Sequence, residues 1–174
     1  MNSELQVPEP PSLTPAGARE RLERIGPGAA RDSFLPLLQL ADESEPHVRS
    51  YYQHGVLFLL RGVDRLVSGV TLAVPHANSV VELKAVAVAN GLQGRGIGRR
   101  MVEAVLADLR FAGIPRVIVG TASCAVGSLA FYQKVGFRMW RIERDFFTAA
   151  RGYAAGRLED GIPLRDMVWM DQGL

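Results

Sequence analysis

The segment between residues 79 and 121 decides the fold, and it reads SVVELKAVAVANGLQGRGIGRRMVEAVLADLRFAGIPRVIVGT. Residues 79–88 are rich in β-branched side chains and predict a strand. From residue 97 to 111 the apolar residues recur at helical spacing, and the helix-stop residues Gly113-Ile114-Pro115 follow. Residues 116–121 predict a short buried strand. The segment is therefore a strand, helix and strand unit, which is compatible with a parallel crossover.

A glycine-rich turn, Gln93-Gly94-Arg95-Gly96-Ile97-Gly98, joins the first of these strands to the helix. Glycines can take positive φ and let a ligand approach the backbone, and the first N–H groups of a helix have no intrahelical partner. Together with the helix dipole and the arginines at 95, 99 and 100, the turn indicates a site suited to a pyrophosphate. A dinucleotide fingerprint does not match, because the sixth position from Gly94 is Arg99, and no Gly-Lys-Ser/Thr of a P-loop follows. A glycine-rich connection without a ligand is the alternative.

The other segments predict a mixed α/β chain. Residues 19–25 are ambiguous between a short helix and a strand, and a strand is favoured. Helices are predicted at 31–42, 46–53 and 126–135, and strands at 56–61, 65–74, 137–147 and 166–170. Four prolines near the start predict an irregular N-terminal arm over residues 1–15, ahead of a single domain over 16–174.

Composition and charge exclude several functional classes. The chain is 48% hydrophobic and 22% charged, which is typical of a globular and not of a disordered protein. A formal net charge of +2 gives little support to nucleic-acid binding, and no window approaches the roughly 18 apolar residues of a membrane span. We therefore expect neither a nucleic acid nor a membrane as partner. A single cysteine, Cys124, and an N-terminus without a signal-like pattern lead us to expect a cytoplasmic protein.

Two separate motifs resemble those of the Gcn5-related N-acetyltransferase (GNAT) superfamily. The family's cofactor signature, Gln/Arg-x-x-Gly-x-Gly/Ala, is matched by Gln93, Gly96 and Gly98, and a second signature is matched by Phe131-Tyr132-x-Lys134-x-Gly136-Phe137. The resemblance covers residues 50–147, and the order of the two motifs makes it specific. The segment from 120 to 167 also resembles a poorly characterised bacterial subgroup of these enzymes.

The resemblance implies a mixed, strongly twisted central sheet of about six or seven strands, flanked by about four helices. It implies that the sheet splays open between the strands at 79–88 and 116–121, with acetyl-coenzyme A as co-substrate in that cleft and no metal. The pantetheine would pair with backbone at 86–88, and the N–H groups of 93–98 would hold the pyrophosphate. The residues implied in binding are Val86, Ala87, Val88, Gln93, Gly94, Arg95, Gly96, Ile97, Gly98 and Arg99. Ser123 and Ser128 are added as candidate binding residues, although the family's pattern has other residues there.

Acetyl transfer to an amine needs a neutral amine, donors for an oxyanion, and an acid for the leaving thiolate. The resemblance places Tyr132 at the family's position for the acid; the alternative is a core tyrosine packed with Phe131. Glu82 lies where relatives often carry the base, although alternation along its strand is equally compatible with a solvated face. The Val88 N–H is the candidate oxyanion donor.

The chain departs from the family's pattern near residue 123. Many relatives carry an asparagine there, whereas this chain reads Ser123-Cys124-Ala125, with Ser128 at a position often held by alanine. The two serines could replace some cofactor contacts. Without a neighbouring histidine, Cys124 is interpreted as a small buried residue rather than a nucleophile. The histidines at 47, 54 and 76 show no metal-ligand spacing and are interpreted as surface or turn residues.

The function predicted from the sequence is an N-acetyltransferase that moves acetyl from acetyl-coenzyme A to a primary amine by direct attack in a ternary complex. A small-molecule acceptor is favoured over a protein, and a homodimer is possible. The alternative is an acyl-coenzyme A-binding sensor or interaction module without turnover.

Overall fold

A computed structural model describes residues 20–42, 44–62 and 65–174, so the predicted arm at 1–15 lies outside the described residues. The strands are β1 (Arg21–Ile25), β2 (Val56–Arg61), β3 (Val67–Pro75), β4 (Val80–Val88), β5 (Arg116–Ala122), β6 (Arg138–Glu143), β7 (Leu158–Glu159), β8 (Ile162–Pro163) and β9 (Met167–Gly173). The α-helices are α1 (Leu35–Leu38), α2 (Glu45–Tyr51), α3 (Ile97–Phe111) and α4 (Val126–Lys134). Short 3-10 turns occur at Ala29–Phe34, Ala77–Ser79 and Ala149–Arg151.

Seven of these strands form one mixed sheet in the order β1-β2-β3-β4-β5-β9-β6, and β7 and β8 form a separate ribbon. The central pair, β4 and β5, is parallel and pairs only at Val80, Val81 and Glu82, opposite Arg116, Val117 and Ile118. Beyond Glu82, β4 stays paired with β3, and β5 stays paired with β9. The two central strands therefore separate toward their carboxyl ends, which confirms the predicted twisted sheet with a splayed centre.

Helices cover both faces of the sheet. On one face α3 and α4 bury Val102, Val105, Leu106 and Tyr132 in a core with β4, β5 and β9. On the other face α1 and α2 bury Leu38 and Val48 against β2, β3 and β4. A fully buried Val or Leu side chain contributes about 1.5–3 kcal/mol. These two cores therefore hold the strands that frame the cleft.

Two of the predicted elements differ clearly from the structure in extent. The helix predicted at 31–42 is a 3-10 turn followed by the four-residue α1, because Pro36 has no N–H and fits only the first helical turn. The strand predicted at 137–147 ends at Glu143, since Asp145 takes a positive φ of 52°. The weakly favoured strand at 19–25 is confirmed as β1.

Arg31 is fully buried, and among the described residues it has no carboxylate partner. Its five N–H groups donate to five backbone carbonyls at 2.5 to 2.8 Å, those of Ile25, Gly26, Tyr52, His54 and Gly55. Burial lowers the pKa of Arg31, and these carbonyls offset the cost of burying its charge. The guanidinium therefore ties the end of β1 to the α2–β2 connection.

The edge strand β6 exposes Met139, Trp140 and Ile142. The homodimer considered from the sequence stays a prediction. Across the described ranges, none of the helices has the length and apolar character needed to cross a membrane.

Candidate active site

The space between the separating ends of β4 and β5 is a cleft of about 630 Å³. Its floor and sides come from β4 residues 82–86, β5 residues 120–122, and Ser128 and Tyr132 of α4. Its far end is closed by residues 39–42 after α1, by His47 of α2, and by side chains of the segment 147–167. The cleft is thus walled by both halves of the sheet and by two connections.

The structure brings four of the sequence-predicted residues together in this cleft: Glu82, Val86, Ser128 and Tyr132. The others do not line this cavity. Ala87, Val88 and the turn residues Gln93, Gly94, Arg95, Gly96, Ile97, Gly98 and Arg99 lie at the end of β4 and the start of α3, and Ser123 follows β5.

The free edge of β4 offers peptide groups to the cleft at alternate residues. Ala89 N donates to Ser68 O, so in this antiparallel pair Ala87 also faces its partner, Val70. Val86 and Val88 then direct their N–H and C=O groups away from β3, toward the side that β5 has left. This side is where an extended amide-containing ligand could pair with β4.

The glycine turn leaves the first N–H groups of α3 uncapped. Gly94 and Gly96 both have φ of 74°, a left-handed conformation that favours glycine. Gly96 is the N-cap and provides no side-chain hydrogen bond, and Arg100 is the first residue whose N–H bonds back into the helix, to Gly96 O. The preceding N–H groups therefore face outward with the positive end of the helix dipole behind them.

Gly98 has a different role from the two left-handed glycines. It is helical, and a Cβ built on it would lie 3.4 Å from Val88 Cγ2 and 3.6 Å from the Phe131 ring. The Gln93 side chain also contacts Val88, because its Nε2 donates to Val88 O at 3.3 Å. The turn, the end of β4 and helix α4 are thus packed together beside the cleft.

The three arginines of the turn differ in their partners. Arg99 pairs with Glu103 at 2.7 Å, and Arg100 pairs with Glu20 at 2.8 Å. Within the parts of the chain that the structure describes, the exposed Arg95 guanidinium has no ion pair. Arg95 is therefore the arginine most available to a phosphate.

Tyr132 is buried on α4 and also lines the cleft. Its ring makes edge contacts with Phe131 and Phe137, with centroids 5.0 and 5.7 Å apart. Both interpretations of this tyrosine thus have support, because it packs in the core and still reaches the cavity. Burial raises the pKa of Tyr132, so its hydroxyl stays protonated throughout the physiological pH range.

Glu82 lies on the cleft wall with only 4% of its surface exposed, so the solvated-face alternative is wrong. Its Oε2 lies 2.8 Å from His76 Nε2, and its Oε1 accepts a hydrogen bond from Lys84 Nζ at 3.1 Å. The sequence did not indicate that His76 contacts Glu82, because His76 lies in the turn between β3 and β4. Its side chain is 44% exposed, so the pair leads from the cleft to solvent.

The two serines and the cysteine are separated by the fold. Ser128 is on the cleft, whereas Ser123 N donates to Asp166 O and so joins the ends of β5 and β9. Cys124 is fully buried, and its thiol lies 3.7 Å from Glu159 Oε2. Burial, followed by the charge of Glu159, raises the pKa of the Cys124 thiol, which opposes a nucleophilic role.

The far end of the cleft holds polar and aromatic groups that the sequence did not single out. The Tyr153 hydroxyl donates to Asp42 Oδ2 at 3.2 Å, and Ser44 N donates to Asp42 Oδ1 at 3.0 Å. The His47 ring lies 5.3 Å from the Tyr51 ring and 5.9 Å from that of Tyr153. Residues from α2 and from a loop about a hundred positions later thus meet here.

Burial lowers the pKa of His47, and the nearby Asp42 offsets only part of this effect. Below an ordinary histidine pKa of about 6.5, the unfolded chain binds a proton that folded His47 does not, so the free energy of unfolding falls as the pH falls. We expect the His47→Asn variant to lose less melting temperature than the wild type between about pH 7.5 and pH 5.5. Circular dichroism melts at the two pH values test this, and equal losses would contradict it.

Among the described residues, no group of three or more His, Cys, Asp or Glu side chains could hold a metal ion.

Comparison with known proteins identifies the family. Residues 28–137 match the model of the acetyltransferase (GNAT) family. The uncharacterised N-acetyltransferase YvbK of Bacillus subtilis is 34% identical over 137 residues, which cover 79% of this chain and 86% of that protein. The solved IAA acetyltransferase from Bacillus cereus is 34% identical with a TM-score of 0.77, covering 89% of this chain and 99% of that chain. A Bacillus subtilis acetyltransferase solved in complex with CoA is 31% identical with a TM-score of 0.79, covering 90% and 99%.

The chain therefore belongs to the GNAT family of acetyltransferases. It is an acetyl-coenzyme A-dependent acyltransferase, and its matches include bacterial N-acetyltransferases.

Proposed function

We propose that this protein transfers acetyl from acetyl-coenzyme A to a primary amine of a small molecule, by direct attack while both substrates are bound. The observation that carries the proposal is that Glu82 and Tyr132 line one cleft, beside the uncapped start of α3. A base and an acid on facing elements are what the two proton transfers of this reaction need.

The residues present fit acetyl-coenzyme A. The edge of β4 has peptide groups directed to the cleft at Val86 and Val88, which suit the amides of the pantetheine. The outward N–H groups of residues 93–98, with Arg95 beside them, suit the pyrophosphate, and Ser128 could add a hydrogen bond from α4. Ala87, Arg99 and Ser123 contribute less, since the first faces β3, the second pairs with Glu103, and the third joins β5 to β9. When bound, the molecule supplies the acetyl thioester.

In this proposal Glu82 is the base that takes a proton from the amine, and His76 passes that proton on toward solvent. An amine that enters as an ammonium must lose a proton before it can attack. Both oxygens of Glu82 already have partners, so a proton that arrives there is passed on most easily through the 2.8 Å contact to His76. Lys84 holds the carboxylate toward the cleft through the other oxygen. The Val88 N–H is a donor for the oxygen that gains charge during the transfer.

The walls of the cleft favour a small acceptor. Residues 39–42 on one side and 147–164 on the other close its far end, and the connections hold each other through Tyr153 and Asp42. A cavity of about 630 Å³ is within the usual range of small-molecule sites, roughly 300–1,000 Å³.

Glu82→Gln is expected to lower kcat/KM by about a hundredfold or more, because the amide keeps the shape of the side chain but cannot accept the proton. His76→Asn should cost less, roughly tenfold, since the histidine relays the proton but does not contact the amine. Thiol release over a panel of amines measures both. Glu45→Gln, which removes an exposed carboxylate paired with Arg49, is the matched control and should change neither rate.

The same assay separates the enzyme from the sensor alternative. Binding of coenzyme A without thiol release from any amine would favour the non-catalytic module. If Glu82→Gln were as fast as the wild type, Glu82 would not be the base, but the acetyltransferase activity would still be supported.

A further inference from the structure

Asp42 is a carboxylate of the cleft without a charged partner. Its side chain is 17% exposed, and the groups that donate to it are neutral, namely the Tyr153 hydroxyl and Ser44 N. The nearest ionisable nitrogen, His47 Nε2, lies 3.8 Å away, and burial lowers the pKa of that histidine so that it is uncharged at neutral pH. Among the residues described here, neither lysine nor arginine lies within ion-pair distance of Asp42. Glu82, by contrast, already has Lys84.

Aromatic rings surround this carboxylate. The His47 ring lies next to those of Tyr51 and Tyr153, and the Phe147 ring lies 4.9 Å from that of Tyr153. Lys84 Nζ lies 5.4 Å from the centre of the Tyr51 ring, so that ring already faces a cation of the protein itself. The faces of phenol and phenyl rings attract a cation, by about 0.5–1 kcal/mol at exposed sites and more where water is excluded. A carboxylate held by neutral donors among aromatic rings is therefore suited to a positively charged group.

The Tyr51 hydroxyl is a buried neutral group near this end of the cleft. Tyr51 is 5% exposed, and its buried oxygen has no hydrogen-bond partner among the described residues. Burial, followed by the charge of Asp42, raises the pKa of the Tyr51 hydroxyl, which therefore stays protonated and uncharged. Tyr51 does not line the cleft, so its uncharged hydroxyl lies behind the wall that carries Asp42 and His47.

Asp42 and Glu82 lie on different walls of the same cleft. In the proposed reaction Glu82 takes the proton from the amine that is acetylated, and Asp42 has no role. We propose that Asp42, with Tyr153 and His47, binds a second cationic group of the acceptor, so that the substrate is a small diamine or oligoamine acetylated at one end. This inference rests on the proposed function for the role of Glu82, but the binding of the cation at Asp42 does not.

Putrescine, a linear diamine, and butylamine, which has the same chain and one amine, form the test pair. Asp42→Asn keeps the acceptor for Tyr153 and removes the charge. We expect it to raise the KM for putrescine at least tenfold while the KM for butylamine and kcat change less than about twofold. Asp42→Glu keeps the negative charge and should therefore keep the preference for putrescine. Asp145→Asn, which removes an acid paired with Arg165 outside the cleft, is the charge-matched control.

Calorimetry of putrescine with the protein alone distinguishes the two proposals. Binding to the wild type that is lost in Asp42→Asn supports the cation site even if no amine releases thiol, an outcome that would reject the proposed reaction. Thiol release with equal KM for both amines, unchanged in Asp42→Asn, would overturn the cation site and leave the reaction intact.

Discussion

Tyr132→Phe is expected to lower kcat by about a hundredfold or more, while the affinity for acetyl-coenzyme A stays nearly unchanged. The phenol reaches the cleft from α4, and burial keeps it protonated, so it can donate to the sulfur as the thiolate leaves. Because burial also makes the phenol a weaker acid, its main effect is a strong hydrogen bond to the developing charge. Steady-state rates and calorimetry with coenzyme A measure the two quantities.

The fold should tolerate this change. Tyr132 packs against Phe131 and Phe137 through its ring, and the hydroxyl has no hydrogen-bond partner among the described residues, so phenylalanine retains the packing. Tyr52→Phe is the matched control: it loses a hydrogen bond to Asp32 outside the cleft and should leave kcat unchanged. A wild-type kcat in Tyr132→Phe would show that Tyr132 is only a core residue and that another group is the acid.

Gly96→Asp is expected to weaken binding of coenzyme A by roughly a hundredfold. Aspartate tolerates the left-handed conformation of this N-cap better than most residues, so the main change is a negative charge where the pyrophosphate is proposed to bind. Two unit charges about 5 Å apart repel by on the order of 3 kcal/mol at an effective dielectric constant of about 20. Calorimetry with coenzyme A measures the loss.

Two further variants separate charge from backbone strain. Gly113, at the other end of α3, has a φ of 76° and open space around it, so Gly113→Asp carries the same residue in a similar conformation away from the cleft. Gly96→Asn keeps the shape at the N-cap without the charge. Both should bind coenzyme A within about threefold of the wild type, since neither sets a charge against the pyrophosphate. Equal weakening by Gly96→Asp and Gly113→Asp would show that the helix start does not bind the phosphates.

The central unit could be predicted from the sequence because its signals are local. Helix α3 begins and ends where the apolar stripe and the Gly113-Ile114-Pro115 stop predict, and the glycine turn is the one the motif indicates. The splay between the strands at 79–88 and 116–121 followed from the family resemblance, since pairing between distant strands leaves no local pattern. The order of the seven strands was not predicted.

The far end of the cleft could not be predicted for the same reason. Asp42 and Tyr153 are more than a hundred positions apart and meet only because the segment between β6 and β9 folds back over α2. His76 is separated from Glu82 by a kinked 3-10 turn with Asn78 at φ of 60°, and no periodicity indicates such a return. Alternation along β4 placed Glu82 and Lys84 on one face but could not show that this face is covered.

The five bonds of Arg31 have a consequence for how acceptor preference can change. They hold the end of β1 to the connection between α2 and β2, and the 3-10 turn that carries Arg31 is thereby fixed to both. A backbone held by five hydrogen bonds from one buried side chain is expected to stay in place when a substrate binds. We therefore expect a change of acceptor preference to come from exchanged side chains on an unchanged backbone.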